Sequence, residues 1–171
     1  MSEVTTDLLV DSFGRIRDYL GDALDGLTAD QLAWRPDAGA NSIGWLAWHL
    51  TRVEDDHIAG AAGSEQLWTS AGWFERMALP LSRLATGYGH GPSEVAAVRV
   101  ESADLLRDYH EAVFESAVEY VRGLEDADFG RIVDESWDPP VTLAVRLVSI
   151  ISDGLQHVGQ AAYVRGLLER I

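Results

Sequence analysis

Asp153 and His157 stand four residues apart inside an apolar helical pattern near the C-terminus. On a helix, positions i and i+4 lie one above the other on the same face, so this carboxylate and this imidazole can point at one target. His49, from an earlier helical segment, would complete a set of two imidazoles and one carboxylate. Three protein ligands with one position left open is the arrangement of a catalytic divalent metal, whereas a structural site is normally closed by four. The same residues also fit a plainer reading. A helix-core histidine is commonly a hydrogen-bonded packing residue, and an i, i+4 Asp/His pair can be a simple ion pair. Two features favour the metal. His157 falls on the apolar line of Leu143, Leu147, Ile150, Gly154, Ala161, Val164 and Leu168, where a polar group must find a partner. Gly154 and Gly159 each cost a helix about 1 kcal/mol against alanine, which points to close packing or ligand access.

Other polar residues are weighed against the same alternatives. His110 interrupts the apolar face between Leu106 and Phe114 and is expected to be a satisfied core histidine rather than a further ligand. His57, eight residues after His49, is rotated off its line and expected at the surface. Asp56 returns under His49 after seven residues and can orient an imidazole. Glu54 and Asp55 are expected to be solvated. Arg52, Arg146 and Arg165 are candidates to hold a carboxylate on a cofactor or substrate, and the sequence does not choose among them. Trp34, Trp45, Trp48, Trp68, Trp73 and Trp137 are expected mostly as core or loop anchors, with Trp45 placed one turn before His49 to wall a pocket. His90 belongs to the turn Gly87-Tyr88-Gly89-His90-Gly91, which is no phosphate loop because no Gly-Lys-Ser/Thr follows. No Gly-x-Ser-x-Gly nucleophile elbow occurs either.

These residues need helices to position them. Apolar residues at three- and four-residue steps predict a first helix from Thr6 to about Leu24, ended by Gly26, then a short turn of helix capped by Thr28 and a loop from Trp34 to Ala40. Asn41 or Ser42 caps a second helix, Ile43 to about Ala59, which carries His49. Residues 60–92 are irregular, with a short helical piece around Gly72 to Ala78, and loops this long are often functional. A third helical region runs from Ser93 to Leu124 with a break near Val100-Glu101-Ser102. Pro139 and Pro140 forbid helix in the following connector, where Arg131 to Val133 reads as extended. Thr142 caps a fourth helix to about Leu168. Four amphipathic helices without a strand series predict an all-α four-helix bundle formed by one domain over residues 1–171.

Composition narrows the chemistry. The 171 residues include no cysteine, which excludes disulfides, thiolate ligands and a cysteine nucleophile. All 13 basic residues are arginine, so a Schiff-base lysine is excluded. The formal charge of −15 repels nucleic acid and anionic lipid. The N-terminus lacks a basic leader, and no apolar run approaches the ~18 residues of a membrane span, so a cytoplasmic protein acting on a small molecule, without nucleic-acid or membrane partners, is expected.

Asn41-Ser42-Ile43-Gly44-Trp45-Leu46-Ala47-Trp48-His49-Leu50, followed by Arg52-Val53-Glu54-Asp55, resembles the second-helix signature of the DinB-like superfamily. Asp153-Gly154-Leu155-Gln156-His157-Val158-Gly159-Gln160 resembles its last-helix signature, and Leu27 to Pro36 the linker after its first helix. The resemblance implies an up-down-down-up bundle, often a homodimer, with a divalent metal held by one histidine of helix two and a His-x-x-x-His pair of helix four. Its relatives include mycothiol-dependent maleylpyruvate isomerases and bacillithiol transferases, in which the metal activates a low-molecular-weight thiol. His49 matches the first ligand and His157 the last, while Asp153 stands where the family usually has a histidine. A carboxylate in that place is compatible with zinc or nickel foremost, and with iron or manganese. The expectation is a metal-dependent thiol transferase or isomerase using a mycothiol-like thiol. Its alternatives are a metal-dependent hydrolase and a non-catalytic binding bundle with a degraded site.

Overall fold

A computed structural model describes residues 3–170. Four long helices make the bundle: α1 (Glu3–Leu24), α3 (Ile43–Ala62), α7 (Ala103–Arg122) and α8 (Leu143–Leu168). Between them lie the short helices α2 (Ala29–Ala33), α4 (Leu67–Ser70), α5 (Trp73–Met77) and α6 (Pro92–Ala97), a 3₁₀ turn at Asp126–Gly130, and an antiparallel pair of β1 (Ile132–Asp134) with β2 (Val141–Thr142). The helix starts follow side-chain capping. Thr28, Ser42, Ser102 and Thr142 each accept a hydrogen bond from the backbone N–H three residues on, filling a donor that the helix itself leaves unpaired.

Side-chain contacts fix the direction of each helix. Thr51 meets His110 and Ala61 meets Tyr120, so α3 and α7 advance together and are parallel. His57 meets Arg146 while His49 meets His157, so α3 and α8 are antiparallel. Arg165 near the end of α8 donates to the carbonyls of Asp22, Ala23 and Asp25 at the end of α1, making these two parallel. Phe13 clusters with Ile58 and Ala61, which sets α1 against α3. The order is therefore up-down-down-up, as the resemblance implies. Gly154 lets α1 and α8 approach: a Cβ there would stand 2.7 Å from Ile16 Cδ1.

Two apolar clusters fill the bundle, one around Leu20, Leu46, Trp48 and Trp68, the other around Phe13, Ile58, Leu143 and Leu147. Thr51, Arg52, Glu54, Asp55 and His110 are buried as well. The structure extends and divides the expected elements. Helix one begins at Glu3, helix two continues to Ala62, and α4 forms inside the segment read as irregular. The third region splits into α6 and α7 because Val98 and Val100 turn inward with the exposed Arg99 between them, an extended pattern, before Ser102 caps a new helix. No helix among the described residues is long and apolar enough to cross a membrane.

Candidate metal centre

The antiparallel pair α3 and α8 brings His49, Asp153 and His157 together, with one ligand atom of each within 4.8 Å of the other two. The imidazole rings of His49 and His157 lie 4.8 Å apart, inclined at 70°. Trp45, one turn before His49, stacks on its ring at 4.6 Å and presents its edge to His157. The tryptophan thus walls one side of the triad with apolar surface.

Each imidazole has one nitrogen committed. His49 Nδ1 is 2.6 Å from the carbonyl oxygen of Thr86, and His157 Nδ1 is 2.9 Å from Gln160 Oε1. A carbonyl-type oxygen can only accept, so Nδ1 carries a proton in both rings and Nε2 is the nitrogen left to ligate, which in His157 means giving up the proton that Nε2 would share with Asp153. His157 Nε2 lies 3.4 Å from Asp153 Oδ1. The other carboxylate oxygen, Asp153 Oδ2, is buried without a partner. Two imidazoles oriented by outer acceptors and a carboxylate with one orphaned oxygen, with ligand atoms within 4.8 Å of one another, fit a divalent cation.

The electrostatics agree with this donor set. Burial lowers the pKa of His49, so the ring is neutral and able to ligate. Burial is the largest single influence and opposes charge on both Asp153 and His157, but their mutual attraction, joined by the imidazoles of His49 and His57 for the carboxyl and by Gln160 for the ring, outweighs it, holding the carboxyl below and the imidazole above their usual values. Without a cation the pair is thus drawn towards an ion pair.

The acceptor for His49 comes from a loop that sequence reasoning left without a role. Gly87 has a φ of +97°, and a Cβ there would stand 2.5 Å from His49 Nδ1 and 3.2 Å from Trp45 Cζ2. Only glycine lets the chain pass so close in that conformation. His90 of the same turn, read as a plain loop histidine, accepts from Trp45 Nε1 at 3.2 Å and stacks on Trp48. The glycine run was visible in the sequence; its contact with His49 was not.

Several expectations are corrected. Glu54 and Asp55 are not solvated but 2% and 4% exposed. Arg52 holds no ligand: its guanidinium is fully buried, bonded to Asp55, Tyr109, Gln66 and the carbonyl of Ala85. Asp56 does not orient His49 but lies 3.4 Å from His57 Nδ1 and accepts from Gln66. His57 is half-buried in a cleft wall beside Arg146 rather than at the open surface. His110 stays apart from the triad and in the core, with Nδ1 against Thr51 Oγ1, but it is only half satisfied, because its Nε2 is buried without a partner. Arg165 is occupied by the carbonyls of α1, and Arg146 alone of the three arginine candidates faces the cleft that leads to Asp153.

A model of the DinB superfamily matches residues 12–161. A crystal structure of a conserved protein from Enterococcus faecalis is similar at 33% identity with a TM-score of 0.91, covering 97% of this chain and 98% of that one. No curated protein matches significantly.

Proposed function

Because the chain belongs to the DinB superfamily, we propose that His49, Asp153 and His157 bind one divalent metal ion and serve a reaction on a small molecule. The observation that supports this is the donor set: one ligand atom each of His49, Asp153 and His157 lies within 4.8 Å of the others, Asp153 Oδ2 is partnerless, and His49 and Asp153 line an open cleft. Zinc or nickel suits these ligands best. The ion would supply Lewis acidity, making a thiol of the mycothiol type, or a water molecule, nucleophilic at neutral pH. The protein's own part is positional. Thr86 and Gln160 fix the tautomers, Trp45 keeps water from one side, and burial keeps His49 unprotonated. Transfer or isomerisation through a thiol is the family-based reading, and hydrolysis shares the same site with a different substrate.

A second reading has an observation of its own. The Asp153–His157 pair can satisfy itself as an ion pair, which suits a bundle that binds a small molecule without a metal. Metal analysis and thermal melting separate the two. The wild type, purified without chelator, is expected to hold about one ion, and free metal at a hundred times its Kd should add ~2.7 kcal/mol of stability. Asp153→Asn and His49→Ala should lose that increment. A wild type that holds no metal at neutral pH and melts alike with zinc, nickel or chelator would overturn the metal reading.

A further inference from the structure

The cleft beside the triad has a volume of about 440 Å³, within the range of small-molecule sites. It runs along α3 and α8 past Val53 and Ser149 to His57 and Arg146, about two turns of α3 beyond His49. Two large aromatic side chains line it from different connectors. Tyr88, in the glycine-rich turn, is 90% exposed, and Trp137, between β1 and β2, is 63% exposed. Both rings lie outside the core and face one cavity, so they offer a ligand apolar surface.

The polar wall is unequal in donors and acceptors. Asp134 Oδ1 accepts from the N–H and the hydroxyl of Ser136, and Asp134 Oδ2 accepts from Arg146 Nη2 at 2.6 Å. Asp56 Oδ1 accepts from Gln66 Nε2 at 2.6 Å, and its Oδ2 is 3.4 Å from His57 Nδ1. These two carboxylates already have their donors, and the unanswered oxygen of the third, Asp153 Oδ2, lies at the triad end, away from Arg146 on α8 by about two turns. A guanidinium carries five N–H groups, and Arg146 directs one Nη at Asp134 and the other at the His57 ring. It therefore retains donors at the cavity wall, while Asp134 fixes its plane. A planar fork held in this way matches a carboxylate.

We infer that the cleft binds a small organic acid with a flat apolar body, its carboxylate on Arg146 and its body against Tyr88 and Trp137. The opposite end of such a molecule points to His49, Asp153 and His157, and only this last step rests on the metal reading. Recognition itself uses side chains that are present with or without an ion.

Calorimetric titration of metal-free protein with cinnamate tests the inference, because chelation removes any route by which the carboxylate binds a metal. Cinnamate should bind, and cinnamyl alcohol and cinnamylamine should bind more weakly. Arg146→Gln should weaken cinnamate at least about tenfold, the loss of one charge-assisted contact. Trp137→Ala, at an exposed position that leaves folding intact, should weaken cinnamate and the alcohol alike. The inference is overturned if cinnamate fails to bind at millimolar concentration, if the amine binds best, or if Arg146→Gln binds as the wild type does. Zinc titration of the wild type keeps the two readings apart: failure to bind zinc would count against the triad and leave the cinnamate result standing.

Discussion

Helix α3 carries two polar clusters less than one turn apart, and they are built on opposite principles. Around Arg52 and Asp55 every group is answered. Asp55 Oδ1 accepts from Leu67 N, while Oδ2 accepts from Trp68 N and the Tyr109 hydroxyl, each within 2.8 Å, and lies 3.4 Å from Arg52. Around His49 the set is left incomplete, with Asp153 Oδ2 partnerless on a residue that lines a cleft. A closed charged network holds the fold and has no valence left for a ligand, whereas an open one marks where a ligand belongs.

The largest test of this contrast is Asp55→Ala. It would strand a fully buried guanidinium, two backbone N–H groups and a tyrosine hydroxyl, and should cost about 3–5 kcal/mol. His157→Ala in metal-free protein removes one member of a partly buried pair at 3.4 Å, leaves no backbone donor stranded, and should cost about 1 kcal/mol. Denaturant unfolding of both variants checks the difference. Equal losses would abolish the distinction between a structural and a functional cluster.

Glu54 sharpens the contrast from inside the core. Its Oε1 is also buried and partnerless, yet the side chain does not line the cleft. A proton, rather than a ligand, should settle that orphan. Burial, with Asp55 adjacent, pushes the carboxyl up to about 8 from an ordinary 4.5. A folded pKa above the unfolded one gives stability that is full below pH 4.5 and lost as the pH rises through about 8. From pH 4.5 to 7, at about 1.4 kcal/mol per pH unit, the loss is on the order of 3 kcal/mol. Glu54→Gln should remove most of this slope, leaving stability near that of the wild type at pH 4.5 and above it at pH 8. Unfolding across pH 4.5 to 8 reads this directly, and parallel profiles for the two proteins would show that Glu54 is ionised in the fold.

The sequence exposed one cluster and concealed the other, for a physical reason. Asp153 and His157 share a helix face at a fixed spacing, and the capping side chains of Thr28, Ser42 and Thr142 are local signals, so both the helices and the triad could be read ahead. Gln160 stood one turn after His157 in the same motif, but the sequence assigned it no role; its bond to His157 Nδ1 came from the structure. Asp55 and Arg52 look like solvent-facing charges, because nothing local announces that α4 will close over them and supply two amides. The carbonyl of Thr86 is hidden in the same way, since its role is set by the path of a loop and not by its residue type. The exposure of Trp137 and Tyr88 on one cavity was invisible, because aromatic residues ordinarily pack inward.

The two clusters meet in that loop. Arg52 Nε holds the carbonyl of Ala85 at 3.2 Å, and the next carbonyl, Thr86, holds His49 Nδ1. The closed network thus sets the orientation of His49, a proposed ligand, in the open one. Gly87→Ala addresses the link without touching a ligand atom. The new Cβ would stand 2.5 Å from His49 Nδ1 at a φ of +97°, a conformation that costs a non-glycine residue about 1–3 kcal/mol. The loop should retreat and release the ring. Losing an orienting partner typically lowers metal affinity about 10–100-fold, so calorimetric zinc titration of Gly87→Ala should show weaker binding at an unchanged stoichiometry. Wild-type affinity in that variant would mean that α3 alone aims His49 and that the two clusters are independent.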